Sequence, residues 1–134
     1  MQRIPPYFDY SEGRLGSLSG EVQTTDATPT KILEIVPEEY ARGYLTVFIN
    51  GSKDDGTEGI VGAKMFHWKS VAGDVTLLAT VDIVAVNREG FTTADFALDV
   101  GDDLLQVKVT GEAAKSINWS AFYIFDSITT TVLP

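Results

Sequence analysis

His67, the single histidine of the chain, is the residue best suited to acid–base or metal chemistry near neutral pH. It lies between Met65 and Trp68 in a stretch whose side chains alternate between two faces. The count excludes a zinc site built from several histidines, and a serine–histidine–aspartate triad could use only this ring. We therefore interpret His67 as a structural or interface residue on a strand.

The acidic residues lie mainly in predicted turns, among them Asp54-Asp55-Gly56 and Gly101-Asp102-Asp103. Two carboxylates can hydrolyse a glycosidic bond, and loop carboxylates such as Asp54, Asp55 and Glu58 can bind calcium. These three residues do not have the spacing of an EF-hand loop, and Asp-Gly sequences are typical of solvated turns. The sequence predicts no metal site and no catalytic residues, while calcium binding by the acidic loops stays open as an alternative.

Four aromatic residues could stack on sugar rings, as a carbohydrate-binding module requires: Tyr44, Trp68, Trp119 and Tyr123. All four lie in stretches with the period of a strand, which favours packing in a core. The chain shows no phosphate-binding loop, no basic aromatic stripe and no redox motif. We therefore expect no cofactor and a protein that is not an enzyme.

Charge and composition restrict the partners. The chain has 134 residues, about one domain, and its net charge of −9 opposes binding to nucleic acid or to anionic membranes. It has no cysteine, which excludes disulfides and thiolate chemistry. The amino terminus lacks the apolar segment of a signal peptide, and no run approaches the roughly 18 apolar residues of a spanning helix. We expect neither conventional export nor insertion into a membrane.

Short alternating stretches separated by turn residues dominate residues 20–127. They predict about eight strands, and no stretch has the period of a long helix. The predicted fold is therefore an all-β sandwich of about eight antiparallel strands, of jelly-roll-like type. The alternation from Val75 to Val86 is unusually long for one strand and predicts a bulge or bend near residues 80–82.

Residues 20–36 predict the first hairpin of this sandwich. β-Branched residues on both sides favour extended backbone. Between them, Asp26 can bond the backbone two residues on, and Pro29 cannot donate to a ladder, so pairing should stop there and resume at Thr30.

Both ends of the chain are predicted to lie outside the sandwich, with an extended arm at residues 1–19 and an extended tail at residues 128–134. Prolines favour extended backbone in the arm, and three closely spaced aromatic residues would be costly to leave in water. They bury either on their own domain or on a neighbouring subunit. The predicted partner-binding residues are Ile4, Pro5, Pro6, Tyr7, Phe8 and Tyr10.

The stretch from Thr24 through Asp26 and Pro29 to Thr30 resembles a pattern found in small virion proteins of tailed bacteriophages. Later segments resemble the following strands of those proteins in the same order: Tyr44-Leu45-Thr46-Val47, Ala63-Lys64-Met65-Phe66, Leu104-Leu105-Gln106-Val107-Lys108-Val109-Thr110-Gly111 and Ile117-Asn118-Trp119. The resemblance covers about residues 20–125. It implies a virion context similar to that of head decoration (cement) proteins, head fibres and tail-fibre domains, which are usually β-sandwiches that form dimers or trimers and carry no catalytic residues.

These observations together favour a non-enzymatic structural protein on the exterior of a virion. The leading hypothesis is a capsid decoration or cement protein whose arm docks on the major capsid protein or on other virion subunits. One alternative is a receptor-binding domain of a tail fibre or head fibre, and another is a carbohydrate-binding module with a glycan as partner. Apolar residues on both faces of several strands predict a homotrimer or homodimer.

Overall fold

A computed structural model of the chain describes residues 16–101 and 103–129. Within these residues the chain forms strands and no helix, so it has none that is long and apolar enough to cross a membrane. The predicted all-β class is confirmed. The eight strands are β1 (Gly16–Thr24), β2 (Thr30–Ile35), β3 (Ala41–Lys53), β4 (Gly59–Val71), β5 (Asp74–Glu89), β6 (Asp95–Gly101), β7 (Leu104–Thr110) and β8 (Ile117–Thr129).

The strands form a sandwich of two antiparallel sheets. The large sheet has the order β1-β8-β3-β4-β5, and the small sheet has the order β2-β7-β6. β1 pairs with β8 and β2 pairs with β7, so the first two strands each join a late strand. β3, β4 and β5 follow one another as a meander in the large sheet. The chain therefore combines long-range pairing between its two ends with local pairing in its middle.

The predicted hairpin at residues 20–36 is wrong. β1 belongs to the large sheet and β2 to the small sheet, so residues 25–29 cross from one sheet to the other. The turn chemistry itself is present, because Asp26 Oδ1 accepts a hydrogen bond from the backbone N–H of Thr28 at 2.8 Å. A turn signal does not specify the sheet that the next strand joins. Here β1 joins the large sheet by pairing with β8, and β2 joins the small sheet by pairing with β7.

Gly20 marks the place where the two sheets come closest near this crossing. A Cβ atom at this position would overlap the backbone carbonyl oxygen of Ile32 in β2. The absence of a side chain therefore lets β1 pack directly against the strand that follows it. β1 begins at Gly16, so the first strand includes the last part of the segment predicted as an arm.

The core lies between the facing surfaces of the two sheets. Burial alternates along β3, where Leu45, Val47 and Ile49 are almost completely buried while Phe48 between them faces outward. The large sheet contributes Trp68 and Trp119 to this core, at 0% and 2% exposure. The alternation read from the sequence is thus the alternation between core and outer surface.

Lys64 projects from β4 into the interior, on the same face as Phe66 and Trp68. Its Nζ atom donates to the carbonyl oxygen of Phe96 at 2.7 Å and forms an ion pair with Asp95 at 3.1 Å. The ammonium group also lies 4.5 Å from the centre of the Phe96 ring. These contacts satisfy a charge that would be costly to bury alone, and they attach β4 to β6 in the other sheet.

β5 departs from regular pairing in the way the sequence indicated. Thr80, Val81 and Asp82 keep a regular register with β4, and the bulges lie on both sides of this stretch. Because of one bulge, Leu77 pairs with Trp68 of the inner face while Ala79 pairs with His67 of the outer face. Two residues that are two positions apart therefore point to opposite faces of the sheet. The simple alternation used in the sequence analysis could not reveal this.

The large sheet is two strands wider than the small sheet, so β5 forms an edge that the small sheet does not cover. Every residue from Leu78 to Ala85 is exposed, including large apolar side chains. Four of these are Leu78, Val81, Ile83 and Val84, with exposures between 41% and 52%. A strand with this composition and no second neighbour within the described residues is an unusual edge for a protein in water.

Candidate functional site

The predicted partner-binding residues of the arm, Ile4, Pro5, Pro6, Tyr7, Phe8 and Tyr10, lie outside the described residues. Their contacts stay a prediction. The described part of the chain does, however, include every other side chain that the sequence offered as a candidate for chemistry, except Asp102.

His67 lies on β4, as the sequence predicted, and its side chain is half-buried on the outer face of the large sheet. Its cross-strand neighbours there are Tyr44 on β3 and Ala79 on β5. Among residues 16–101 and 103–129, no three histidine, cysteine or acidic side chains form a group that could hold a metal ion. The structure therefore places the His67 side chain on the outer surface of the large sheet, outside any group of metal-binding side chains among the described residues.

The three carboxylates considered for calcium each bind a different part of the protein. Asp55 accepts hydrogen bonds from the N–H and hydroxyl groups of Thr57, at 3.0 and 2.6 Å, which lowers its pKa. Glu58 forms an ion pair with Lys115 at 2.9 Å, and Asp54 Oδ1 lies 3.4 Å from the side-chain nitrogen of Asn118. The geometry gives these carboxylates roles in the turn and in neighbouring loops.

The aromatic residues proposed for sugar stacking are mostly core residues. Trp68 packs parallel to Phe125 with ring centres 5.5 Å apart, and Trp119 donates its indole N–H to Thr24 Oγ1 at 2.9 Å. Tyr123 is also buried, while Tyr44 is 37% exposed. The preference for core packing is confirmed for these three, and a carbohydrate-binding module would lose both tryptophans as stacking platforms.

An apolar surface extends across the outer face of the large sheet. Two adjacent cross-strand rows run from β8 to β5, one through Phe122, Phe48, Ala63 and Val84 and the next through Ile124, Thr46, Met65 and Val81. The rings of Phe48 and Phe122 contact each other, with centres 5.6 Å apart. We call the seven larger apolar residues of this surface the outer band: Phe48, Val61, Met65, Val81, Val84, Phe122 and Ile124.

The outer band has no charged residue in either of its two rows. Its most exposed members, Val84, Val61, Val81 and Phe122, have between 42% and 50% of their surface accessible. The outer face of an antiparallel sheet in a sandwich is normally polar, so the outer band is an exception to that pattern.

Polar groups adjoin the outer band at the end of the sheet nearest the Asp54-Asp55 turn. A shallow depression there is lined by Ser52, Asn87 and Glu89, with Val61 forming part of its wall. Asn50 also lines it and pairs with Val61 across β3 and β4. The outer face therefore changes from apolar to hydrogen-bonding along the strand direction.

Glu112 is a site that the sequence did not reveal. Its carboxylate is buried and accepts hydrogen bonds from the consecutive backbone N–H groups of Thr92, Thr93 and Ala94, the last at 2.9 Å. Burial by itself would raise the pKa of Glu112, but these N–H groups and Lys115 outweigh it and lower the pKa to about 2. The carboxylate fixes the loop between β5 and β6 and stays charged at neutral pH.

Comparisons with known proteins identify the fold. No family model matches the chain, and no curated protein matches it in sequence. Among solved structures, the chain is similar to the tailspike protein of Acinetobacter baumannii phage AM24, with a TM-score of 0.56 and 10% identity. The match covers 94% of this chain and 28% of that chain, so the two share the fold of one part of a longer protein.

A second similar structure is the tailspike protein of Acinetobacter phage vB_ApiP_P1. The TM-score is 0.38 and the identity 12%, and the match covers 97% of this chain and 24% of that chain. The chain thus spans about a quarter of the length of the tailspike proteins with which it was aligned. The eight-stranded sandwich fold occurs in part of a phage tailspike protein.

Proposed function

We propose that this chain is a structural domain of a phage tail spike or tail fibre and belongs to the receptor-binding apparatus on the particle exterior. The observation that carries the proposal is the fold shared over 94% of the chain with part of the AM24 tailspike protein. The sequence resemblance to small virion proteins supports the same context. With this proposal, the hypothesis of a tail-fibre or head-fibre domain replaces capsid decoration as the leading hypothesis.

The roles of the carboxylates support a structural, non-enzymatic function. The acidic side chains with lowered pKa values, such as Glu112 and Asp55, bind backbone or hydroxyl groups of their own loops. Catalysis by carboxylates needs a group that can exchange a proton near the working pH. A carboxylate held by three backbone N–H groups is suited to hold a loop in place.

The outer band supports a function in assembly. A domain of a spike must contact other domains or other copies, and such contacts bury apolar surface. The outer band offers aromatic and aliphatic side chains without charge, while the net charge of −9 disfavours nucleic acid and anionic membranes as partners. We expect virion proteins to be the partners, including further copies of this chain.

Immunogold electron microscopy of intact particles tests the proposal. Antibodies raised against the folded chain should label the tail or its fibres when applied to the phage that encodes it. Labelling spread evenly over the head would overturn the tail assignment. Antibody blocked in advance with the free chain provides the control for specific labelling.

Capsid decoration is the second candidate. The net charge of −9 and the apolar amino-terminal segment suit a protein that grips neighbouring subunits on the outer surface of a capsid. The number of copies per particle separates the two functions, because a cement protein occupies many equivalent capsid positions and a fibre only a few. Quantitative mass spectrometry of purified particles against a labelled standard gives that number.

A further inference from the structure

We propose that the outer band of the large sheet binds the amino-terminal segment, residues 1–15, of a second copy of this chain. Subunits would then be linked by exchange of their arms. The inference does not depend on whether the domain belongs to a tail or to a capsid.

The first argument is that the outer band is built as a contact surface. The tilted rings of Phe48 and Phe122 contact each other across β3 and β8, and Val81 and Val84 extend the band to the edge strand β5. All four are at least 36% exposed. Contiguous apolar surface of this kind on a soluble protein marks a binding site.

The second argument comes from charge. Arg3 and Arg14 balance Asp9 and Glu12, so residues 1–15 have no formal net charge and the rest of the chain carries the whole −9. A second sandwich placed on the outer band would bring another strongly acidic body close to the first. The arm brings apolar side chains without that repulsion, which makes it the better partner for an uncharged surface.

The third argument is size. The outer band crosses four neighbouring strands, β8, β3, β4 and β5, so its width is about 14 Å at the usual strand spacing. The segment from Ile4 to Tyr10 spans about 20 Å in the extended form that its prolines favour. Its apolar side chains can therefore reach across the whole width of the surface.

The direction of β1 favours a second copy over the chain's own arm. Gly16 pairs with Phe125 and Thr24 with Ile117, so the chain enters β1 from the end of the sheet beyond the outer band. β1 is also at the opposite edge of the large sheet from β5. A chain that continued in line with β1 before Gly16 would lead away from the outer band of its own subunit, which favours the arm of a second copy as the occupant.

Paramagnetic relaxation enhancement provides the test, because the chain has no cysteine and a single label can be introduced cleanly. A spin label is attached to the Ser11→Cys variant, which is made at natural isotope abundance. This protein is mixed with ¹⁵N-labelled protein of the natural sequence, which carries no spin label. We expect the amide signals of Phe48, Phe122 and Val84 to lose most of their intensity. The same label on Ala97→Cys, on the exposed side of the small sheet, is the control and should leave those signals unchanged.

Two outcomes would overturn the proposal. If the signals are lost only in a second sample, in which ¹⁵N-labelled Ser11→Cys protein itself carries the spin label, the arm covers its own outer band. If no band signal is lost in either sample, the arm binds elsewhere or not at all.

A variant of the receiving surface gives an independent check. Phe122→Ser in the ¹⁵N chain should restore the lost signals, whereas Ile128→Ser should not, because Ile128 is exposed on the same face but outside the outer band. If the folded Phe122→Ser variant still loses these signals, the outer band is not the surface that binds the arm.

Discussion

Glu112 shows how one side chain can organise a loop from a distant part of the sequence. Its carboxylate accepts hydrogen bonds from three backbone N–H groups and lies 3.4 Å from the ammonium group of Lys115. Lys115 also bonds the carbonyl oxygen of Gly90, so the two residues fix both ends of the connection from β5 to β6. Buried charges are tolerated when they are paired and hydrogen-bonded to this extent.

We predict that Glu112→Gln lowers the free energy of unfolding by about 2–3 kcal/mol, since a neutral amide replaces the charged acceptor and brings a donor towards backbone N–H groups. Urea denaturation of the purified variant measures the change. Glu21→Gln, at an exposed position on β1, is the matched control and should stay within about 0.5 kcal/mol of the natural sequence. Equal stability of the two variants would contradict the assigned role.

Stability should also depend on pH through Glu112. The pKa is about 2 in the folded protein and 4.5 for the ordinary side chain, so the unfolded chain binds a proton first as the pH falls. The stabilisation, about 3 kcal/mol at most, is complete above pH 4.5 and is lost as the pH falls towards 2. Thermal melting between these pH values should show a shallower decline for Glu112→Gln than for the natural sequence.

The two tryptophans should respond differently to replacement by phenylalanine. Trp119 donates to the buried Thr24 hydroxyl, whereas the indole N–H of Trp68 has no hydrogen-bond partner within the described residues. Both replacements remove similar volume from the core. We expect Trp119→Phe to cost about 1 kcal/mol more than Trp68→Phe, because it also breaks a buried hydrogen bond. Paired denaturation curves test the difference, and an equal loss would rule it out.

At the level of strands, two glycines of β3 lie where the neighbouring strands leave no room for a side chain. Gly43 lies in β3 where a Cβ atom would overlap the backbone carbonyl oxygen of Asp126. Gly51, further along the same strand, would place a Cβ atom 2.8 Å from Ile60 and 2.9 Å from Trp119. The centre of the large sheet therefore depends on glycine at two points.

We predict that Gly43→Ala destabilises the protein by about 3 kcal/mol or more, because backbone cannot move aside as a side chain can. Gly101→Ala is the control, since a Cβ atom there meets no other atom within 4 Å. Circular dichroism melting curves give the comparison. A Gly43→Ala variant as stable as the Gly101→Ala variant would show that β3 and β8 can separate at low cost.

The strands themselves were predictable because alternation along one strand is a local property. Burial along β3, β4 and β8 follows this alternation, with Lys64 inward and Phe48 outward. The partners of β1 and β2 were not predictable, since pairing with β8 and β7 joins residues far apart in sequence. A bulge in β5 was expected near residues 80–82, but the number of bulges and their exact places were not, because register is set jointly by two strands.

The candidate site was predictable to a similar degree. Strands with apolar residues on both faces already indicated more apolar surface than one core needs, and the outer band is the part of that surface that is exposed. Glu112 could not be found in the same way. Its partners are backbone N–H groups, which every residue except proline has, and they lie 18 to 20 residues earlier.

For the whole molecule, the outer band predicts self-association. Sedimentation velocity of the natural chain should show a dimer or trimer, and the double variant Phe48→Ser/Phe122→Ser should sediment mainly as a monomer. Both residues face outward, so the sandwich should remain folded. Ile128→Ser, an equally polar change outside the outer band, should retain the oligomer. If the double variant keeps the same distribution, a different surface joins the subunits.

The bulges of β5 have a consequence for the size of such an assembly. An exposed edge strand normally offers a regular row of N–H and C=O groups on which another sheet can add without limit. In β5 the register shifts interrupt that row at three places. Edge-to-edge growth into a fibril is therefore disfavoured, so the proposed association through the outer band would not be extended by sheet growth at β5.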